Sequence, residues 1–424
     1  MRNSILRRTA VGATLLFVVA ACGGGDDDDN AGTTTAPTTA AATSPAASTP
    51  AASPTAGDTA SPTASGSPSA IAAASPTAPA GEVKKVKLQL QWFTQAQFAG
   101  YFAAVDQGFY TEQGLDVQIL EGGVDIVPQT VLAQGQADYA IAWVPKALAS
   151  REQGAGITNV AQIFQRSGTR QVAFADKNIK TAADLKGKKV GNWGFGNEFE
   201  VFAGLTKAGL DAGKDITLVQ QQFDMQALLQ GDIDAAQAMT YNEYAQVLEA
   251  KNPKTGQLYK PEDFTMIDWN TEGTAMLQDA IWANTDKLKD AAYQDQTTKF
   301  LAGSMKGWAF CRDNAEKCRD IVVAKGSKLG ASHQLWMMNE VNKLIWPSPG
   351  GIGLIEDAAW RQTVDIAKSA KNAEGQTVIK DEPDKDAYSN DYVTKAHELL
   401  KAQNIDINGS GFTPITVELK EGGA

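Results

Sequence analysis

The segments LAQGQADYAIA (132–142) and LLQGDIDAAQA (228–238) follow one plan: a Leu-containing helix end, a Gly, an Asp three residues later, then an alanine-rich strand. Gly135 and Gly231 suit the helix C′ position, where a left-handed backbone favours glycine, and Asp138 and Asp234 suit strand-entry turns. Each segment closes a block in which strand and helix periodicities alternate. The first block runs from the strand VKLQLQW (86–92) through a helix ending near Gly108, a strand in GLDVQILEGG and a helix in PQTVLAQG to the strand ADYAIAW. The second runs through KKVGNWG, NEFEVFAGLTKAG, DITLVQQQ and MQALLQG to IDAAQAM. Such alternation predicts parallel α/β sheets. Two such blocks predict two similar α/β lobes, with a cleft at the carboxyl ends of the strands.

The chain should cross between lobes near residues 163–171 and again after 267–270, with AMLQDAIWANT (275–285) a strand rejoining the first lobe. This puts lobe 1 at about 83–167 and 275–424 and lobe 2 at about 168–274. Beyond Asp286 the 3.6-residue period is nearly continuous, and Trp308, Trp336, Trp346 and Trp360 fall at core positions of helices.

Residues 1–21 carry Arg2, Arg7 and Arg8, then an apolar run from Ala10 to Ala21 that leads into Cys22. A basic start, a short apolar segment and small residues before a Cys read as a lipoprotein signal peptide, cleaved to leave Cys22 lipidated. Residues 22–82 are Gly, Asp, Ala, Thr, Ser and Pro almost throughout, too poor in apolar surface to fold, and read as a disordered tether. The expected location is the extracytoplasmic side of a cell membrane, held by lipid.

The formal net charge is −11, and removal of the signal's three arginines lowers it to −14. That disfavours nucleic acid as a partner. Two further cysteines, Cys311 and Cys318, stand in FCRDNAEKCRD. On one unbroken helix their Cα atoms would be about 10 Å apart, too far for a disulfide. Asp313 and Asn314 suit the start of a new helix, so a helix–turn–helix closed by a disulfide is expected, with two buried thiols as the alternative. His333 and His397 sit in helical segments without a Cys/His cluster, so no metal site and no cofactor are expected.

The stretches LQWFTQAQFAGYFAAVDQGFYTEQGLDV, EGG, GQADYAIA, DLKGKKVGNWG and TYNEYAQ resemble the NMT1/THI5-like family of extracytoplasmic binding proteins. The resemblance covers roughly residues 86–284. It implies a two-lobed, type II periplasmic-binding-protein fold that closes over a small molecule and delivers it, as a monomer, to an ABC permease and ATPase. Within the family, QAQFAGY and GFGNEFE are most similar to riboflavin-binding members. An aminopyrimidine thiamine precursor is the alternative ligand. More remote alternatives are a solute sensor and a thiamine-pyrimidine synthase, although the cysteine-rich iron site that the family's synthases use has no counterpart here.

The strand ends nominate the cleft. They supply Trp92, Thr94, Gln95 and Gln97, with Tyr101 one turn into the helix, then Gly122, Gly123 and Asp125, and Trp143. From the second lobe come Asn192, Trp193, Phe195, Asn197 and Glu198, followed by Tyr241, Asn242 and Glu243. An anionic ligand would want Arg, Lys or hydroxyl donors at the helix start. Instead GNWGFGNEFEVF (191–202) places Glu198 and Glu200 there, and the loops are rich in rings and amides and poor in Lys and Arg. That chemistry suits a flat, neutral, hydrogen-bonding ring. Trp92 and Trp143 would serve equally well packed under the sheet edges, and Glu198 and Glu243 as simple helix-start acids.

Overall fold

A computed structural model describes residues 83–424 with the exception of Phe195. The signal peptide, Cys22 and the tether lie outside the described residues. β1 (Lys84–Gln89) alternates exposed and buried positions before it is covered completely at its carboxyl end. It leads into α1 (Ala99–Asp106), β2 (Leu115–Leu120), α2 (Pro128–Ala133), β3 (Tyr139–Trp143), α3 (Val144–Glu152) and β4 (Ile157–Gln162). The chain then makes β5 (Thr169–Phe174), β6 (Lys189–Asn192), α4 (Phe199–Lys207), β7 (Thr217–Gln220), α5 (Gln226–Leu229), β8 (Ala236–Met239) and α6 (Glu243–Leu248). After β9 (Phe264–Asp268) and α7 (Trp269–Glu272) it returns as β10 (Asp279–Asn284). The remainder is helical: α8 (Ala291–Asp313), α9 (Ala315–Ala324), α10 (Ala331–Ile345), α11 (Asp357–Ser369) and α12 (Asp391–Ala402).

The first sheet has the order β2-β1-β3-β10-β4. β1 is parallel to β2 and β3, whereas β10 is antiparallel to β3 and β4. In the second lobe β6 pairs parallel with β7, and β5 is antiparallel to β8 and β9. A parallel bridge between Val190 and Ala235 joins the two pieces. The resulting order, β7-β6-β8-β5-β9, is that of the first sheet with β5 in the place of β10. Both sheets are therefore mixed and not all parallel, because the strand that enters each lobe from the other runs against its neighbours.

The repeated segments occupy equivalent places. Gly135 and Gly231 have φ of +72° and +80°. Asp138 accepts from the Lys87 N–H at 2.9 Å and Asp234 from the Lys189 N–H at 2.9 Å. Each carboxylate thereby ties the entry of its strand to the neighbouring one. Ion pairs with Lys287 and Lys177 add to the two contacts.

The helical tail packs mainly on the first lobe. A Cβ on Gly307 would lie 2.0 Å from the Gly100 carbonyl, and one on Gly100 2.2 Å from the Trp308 ring. Glycine at both positions lets α1 and α8 meet backbone to backbone. Asn314 separates α8 from α9 and brings Cys311 and Cys318 into a disulfide with Cα atoms 5.5 Å apart. Its side chain does not cap α9; it donates to the Phe310 carbonyl at 2.9 Å, closing the end of α8 instead. Trp308, Trp346 and Trp360 are buried and Trp336 is half-buried, its indole N–H donating to the Thr240 carbonyl. Among the described residues no helix is long and apolar enough to cross a membrane.

Candidate functional site

The carboxyl ends of β1, β3, β6 and β8 converge on a cavity of about 620 Å³, within the range typical of small-molecule sites. β10 runs the other way, so its first residue, Asp279, lies opposite Trp143 at the end of β3. Asp279 Oδ1 accepts from Gln91 Nε2 at 2.6 Å and from the Trp143 indole N–H at 2.8 Å, and Oδ2 accepts from Gln97 Nε2 at 2.9 Å. Gln97 Oε1 in turn accepts from Gln95 Nε2 at 2.7 Å. One buried carboxyl thus orients four side chains that line the cavity. Burial pushes the Asp279 carboxyl up to about 7, while the donations from Gln97, Trp143 and Gln91 pull it down.

The glycine turn of the second lobe is held by Gln237 on β8. Its Oε1 accepts the Trp193 N–H at 3.1 Å and its Nε2 donates to the Asn197 carbonyl. Gly194 and Gly196 have φ of +68° and +83°, which bends the chain back towards α4. Trp193 is 4% exposed and stacks on Phe223 with centroids 6.1 Å apart and planes 22° apart. Trp92, from the first lobe, packs on the same Phe223 ring at 4.7 Å. Rings from both lobes therefore meet at Phe223. At the start of α6, Asn242 Nδ2 donates to Glu243 Oε1 at 2.8 Å, and Glu243 Oε2 accepts the Met239 N–H at 3.0 Å. Burial pushes the Glu243 carboxyl up to about 7. His333 on α10 lies 3.0 Å from Asn242 Oδ1 through Nε2 and 2.9 Å from Glu249 Oε2 through Nδ1, pinning this corner from behind.

Of the residues nominated from the sequence, Trp92, Gln95, Gln97, Gly123, Trp143, Trp193, Asn197, Glu198, Tyr241, Asn242 and Glu243 line the cavity, as does Asp125. Tyr101 does not. The close approach of α1 to α8 buries it, edge-to-face on Trp308 at 5.6 Å. Asn192 is also outside the lining; its Oδ1 accepts the Gly194 N–H at 2.8 Å, so it shapes the turn. Phe195 lies outside the described residues. Thr94 is tied to Glu121, and Gly122 lets the loop after β2 approach Gln91, where a Cβ would lie 2.5 Å from backbone atoms. Glu200 points away from the cavity to the crossing segments, accepting from the Ser167 hydroxyl and the Met276 N–H.

Sequence reasoning missed Asp279, Phe223, Gln91, Lys146 and the 372–378 segment, all but the first of which contribute to the lining. Among the described residues, Lys146 is the single Lys or Arg of a lining otherwise poor in cations, and sequence reasoning did not place it there. Its ammonium sits 5.3 Å from the Trp143 ring centroid, and burial lowers it to about 8 against the pull of Glu198 and Asp279. Among the described residues no group of three or more His, Cys, Asp or Glu has metal-binding geometry.

Two α/β lobes with a ligand-sized cavity at the carboxyl ends of both sheets are the two-lobed, type II periplasmic-binding-protein architecture. The same fold occurs in a putative sulfonate ABC transporter, periplasmic sulfonate-binding protein SsuA, from Methylobacillus flagellatus KT, with a TM-score of 0.52 at 19% identity over 80% of this chain and 99% of that one. The chain belongs to the NMT1/THI5-like family, which it matches over residues 95–318. It is 27% identical over 160 residues to a putative thiamine biosynthesis protein of Haemophilus influenzae, a match covering 38% of this chain and 51% of that protein, about half that relative's length. It is 22% identical over 298 residues to the riboflavin-binding protein RibY of Chloroflexus aurantiacus, covering 68% of this chain and 81% of that protein.

Proposed function

We propose that the chain is an extracytoplasmic substrate-binding lipoprotein of an ABC importer, anchored through Cys22, which captures riboflavin and passes it to a membrane permease and its ATPase. The observation that carries this reading is the aromatic cluster of Trp92, Phe223 and Trp193, contributed by both lobes within one cavity. A fused tricyclic ring needs wide stacking surface and edge contacts to amides, and Gln95, Gln97, Asn197 and Asn242 stand beside the rings. The similarity to a riboflavin-binding protein over most of that protein's length supports the choice. We read the chain as a binding protein and not a pyrimidine synthase, since rings, amides and carboxyls around one lysine are groups that recognise a ligand.

A second reading, an aminopyrimidine thiamine precursor, is supported by the carboxyls of Glu198 and Glu243 in the lining, which suit an amidine-like edge, and by the relative named for thiamine biosynthesis. The test is the absorbance of whatever the purified protein releases on denaturation. A flavin spectrum in proportion to protein supports the proposal. A pyrimidine spectrum without visible absorbance moves the substrate to the second reading.

A further inference from the structure

Two buried polar atoms in the lining lack partners, and a half-buried ammonium stands beside them. Trp193 Nε1 and Glu198 Oε2 are buried without a hydrogen bond. The Lys146 ammonium, on the opposite lobe, has no hydrogen-bonding partner among the described residues; only the more distant charges of Glu198 and Asp279 act on it. Buried polar atoms in folded proteins are nearly all paired, and an unpaired buried charge is costlier still. An unpaired buried donor and an unpaired buried acceptor on one cavity, beside the half-buried Lys146 ammonium, are the negative image of a ligand.

Lys146 and Glu198 also face each other across the cleft. Lys146 lies in the first turn of α3 in the first lobe, and Glu198 immediately precedes α4 in the second. The Lys146 stem runs along the glycine turn: a Cβ on Gly196 would be 3.4 Å from its Cγ and 3.6 Å from its Cε. These are ordinary van der Waals separations, so the stem packs on the turn, and it is the φ of +83° that calls for glycine at 196. A ligand that fills both charges therefore ties the lobes together at this point.

Resting on the vitamin-binding reading above, we propose that Lys146 and Glu198 determine specificity by gripping one edge of a planar heteroaromatic ring. A ring carbonyl or ring nitrogen accepts from the Lys146 ammonium, and an adjacent ring N–H or amino group donates to Glu198. The Trp193 indole N–H supplies the donor for a second carbonyl. In riboflavin the matching edge is the imide, with N3–H between two carbonyls. This grip accounts for a lysine in a cavity otherwise built for a neutral ring. It places the polar edge between the lobes, at the Trp193 N–H, and the apolar ring face on Trp92 and Phe223.

The test compares the dissociation constants of riboflavin and N3-methylriboflavin on the wild type, Lys146→Met and Glu198→Gln, with thermal melts to show that all three are folded. On the wild type, N3-methylation should weaken binding at least tenfold. Lys146→Met should weaken riboflavin about tenfold, and Glu198→Gln should shrink the penalty for N3-methylation. Equal affinity of the two flavins for the wild type, or riboflavin binding unchanged in both variants, overturns the grip and leaves the vitamin reading standing. If riboflavin does not bind but an aminopyrimidine does, the vitamin choice fails. The same variants then decide the grip, which predicts a loss of at least tenfold in each and is overturned by none. Binding of neither compound overturns both.

Discussion

Replacing Asp279 with Asn should reverse the hydrogen-bond direction along the cavity floor. When ionised, above its raised pKa, the wild-type carboxyl accepts all three of its contacts, from Gln91, Trp143 and Gln97. Asn keeps one accepting oxygen for Gln91 and Trp143 but turns an NH₂ towards Gln97. Gln97 must then rotate its amide to accept, which turns its own NH₂ on Gln95, and Gln95 must rotate in turn. The last rotation changes what Gln95 offers the ligand. A mispaired buried donor costs about 1–3 kcal/mol, so ligand affinity should fall roughly 10- to 100-fold. The substitution should also flatten a pH dependence of stability. The Asp279 carboxyl is raised from 3.8 to about 7 in the folded protein, so between those values the folded state holds a proton that the unfolded chain has released. Stability therefore falls as pH rises through this window and levels off above the folded value. With one pKa unit equal to 1.36 kcal/mol, linkage gives on the order of 2–3 kcal/mol lost between about pH 5 and 7.5 through this group. Urea unfolding at the two pH values, alongside ligand titration at each, measures both effects. An Asp279→Asn variant with the wild-type pH slope and wild-type affinity would refute the reasoning.

Glu200→Gln should likewise remove part of the pH slope, because burial raises this carboxyl to about 7; its side chain faces the lobe crossing, so calorimetry should show ligand affinity unchanged. Mass spectrometry after alkylation without reductant should find no free thiol at Cys311 or Cys318, and the double Ser variant should lose about 2 kcal/mol in urea unfolding, the chain-entropy value for so short a loop. Gly307→Ala forces α1 away from α8 and should cost at least about 3 kcal/mol or abolish folding, read by circular dichroism melting. Cys22→Ser should release the protein from membranes or leave it unprocessed, and continued fractionation as a lipid-modified protein would contradict the proposed anchor.

The lobe plan was legible because strand and helix periods alternate twice and the same Gly and Asp positions close each block. β4, β5 and β9 were not identified. They lie where the chain crosses or borders a sheet edge, without a following amphipathic helix to mark them. Most of the cavity rim was readable because strand ends announce themselves through Gly, Asn and Trp. Tyr101 was misplaced because its burial depends on Gly307, two hundred residues away in the chain. Asp279 left one usable sign, a lone acid opening an apolar strand, whose meaning appears only once β10 is known to run antiparallel. Lys146 was hidden for a similar reason: a lysine early in a helix is ordinarily solvated, and only the facing glycine turn encloses it.

The central claim is that a flavin ring stacks on the aromatic cluster between the lobes, and fluorescence titration of riboflavin with the protein tests it most directly. Stacking on Trp193 or Trp92 should quench flavin emission by electron transfer from the indole, with tryptophan emission falling in the same titration. Trp193→Ala should weaken binding by about 1–3 kcal/mol, the scale of a lost ring–ring contact and its apolar burial. Unquenched flavin at tens of micromolar protein, together with a clear calorimetric signal from an aminopyrimidine, would contradict the claim.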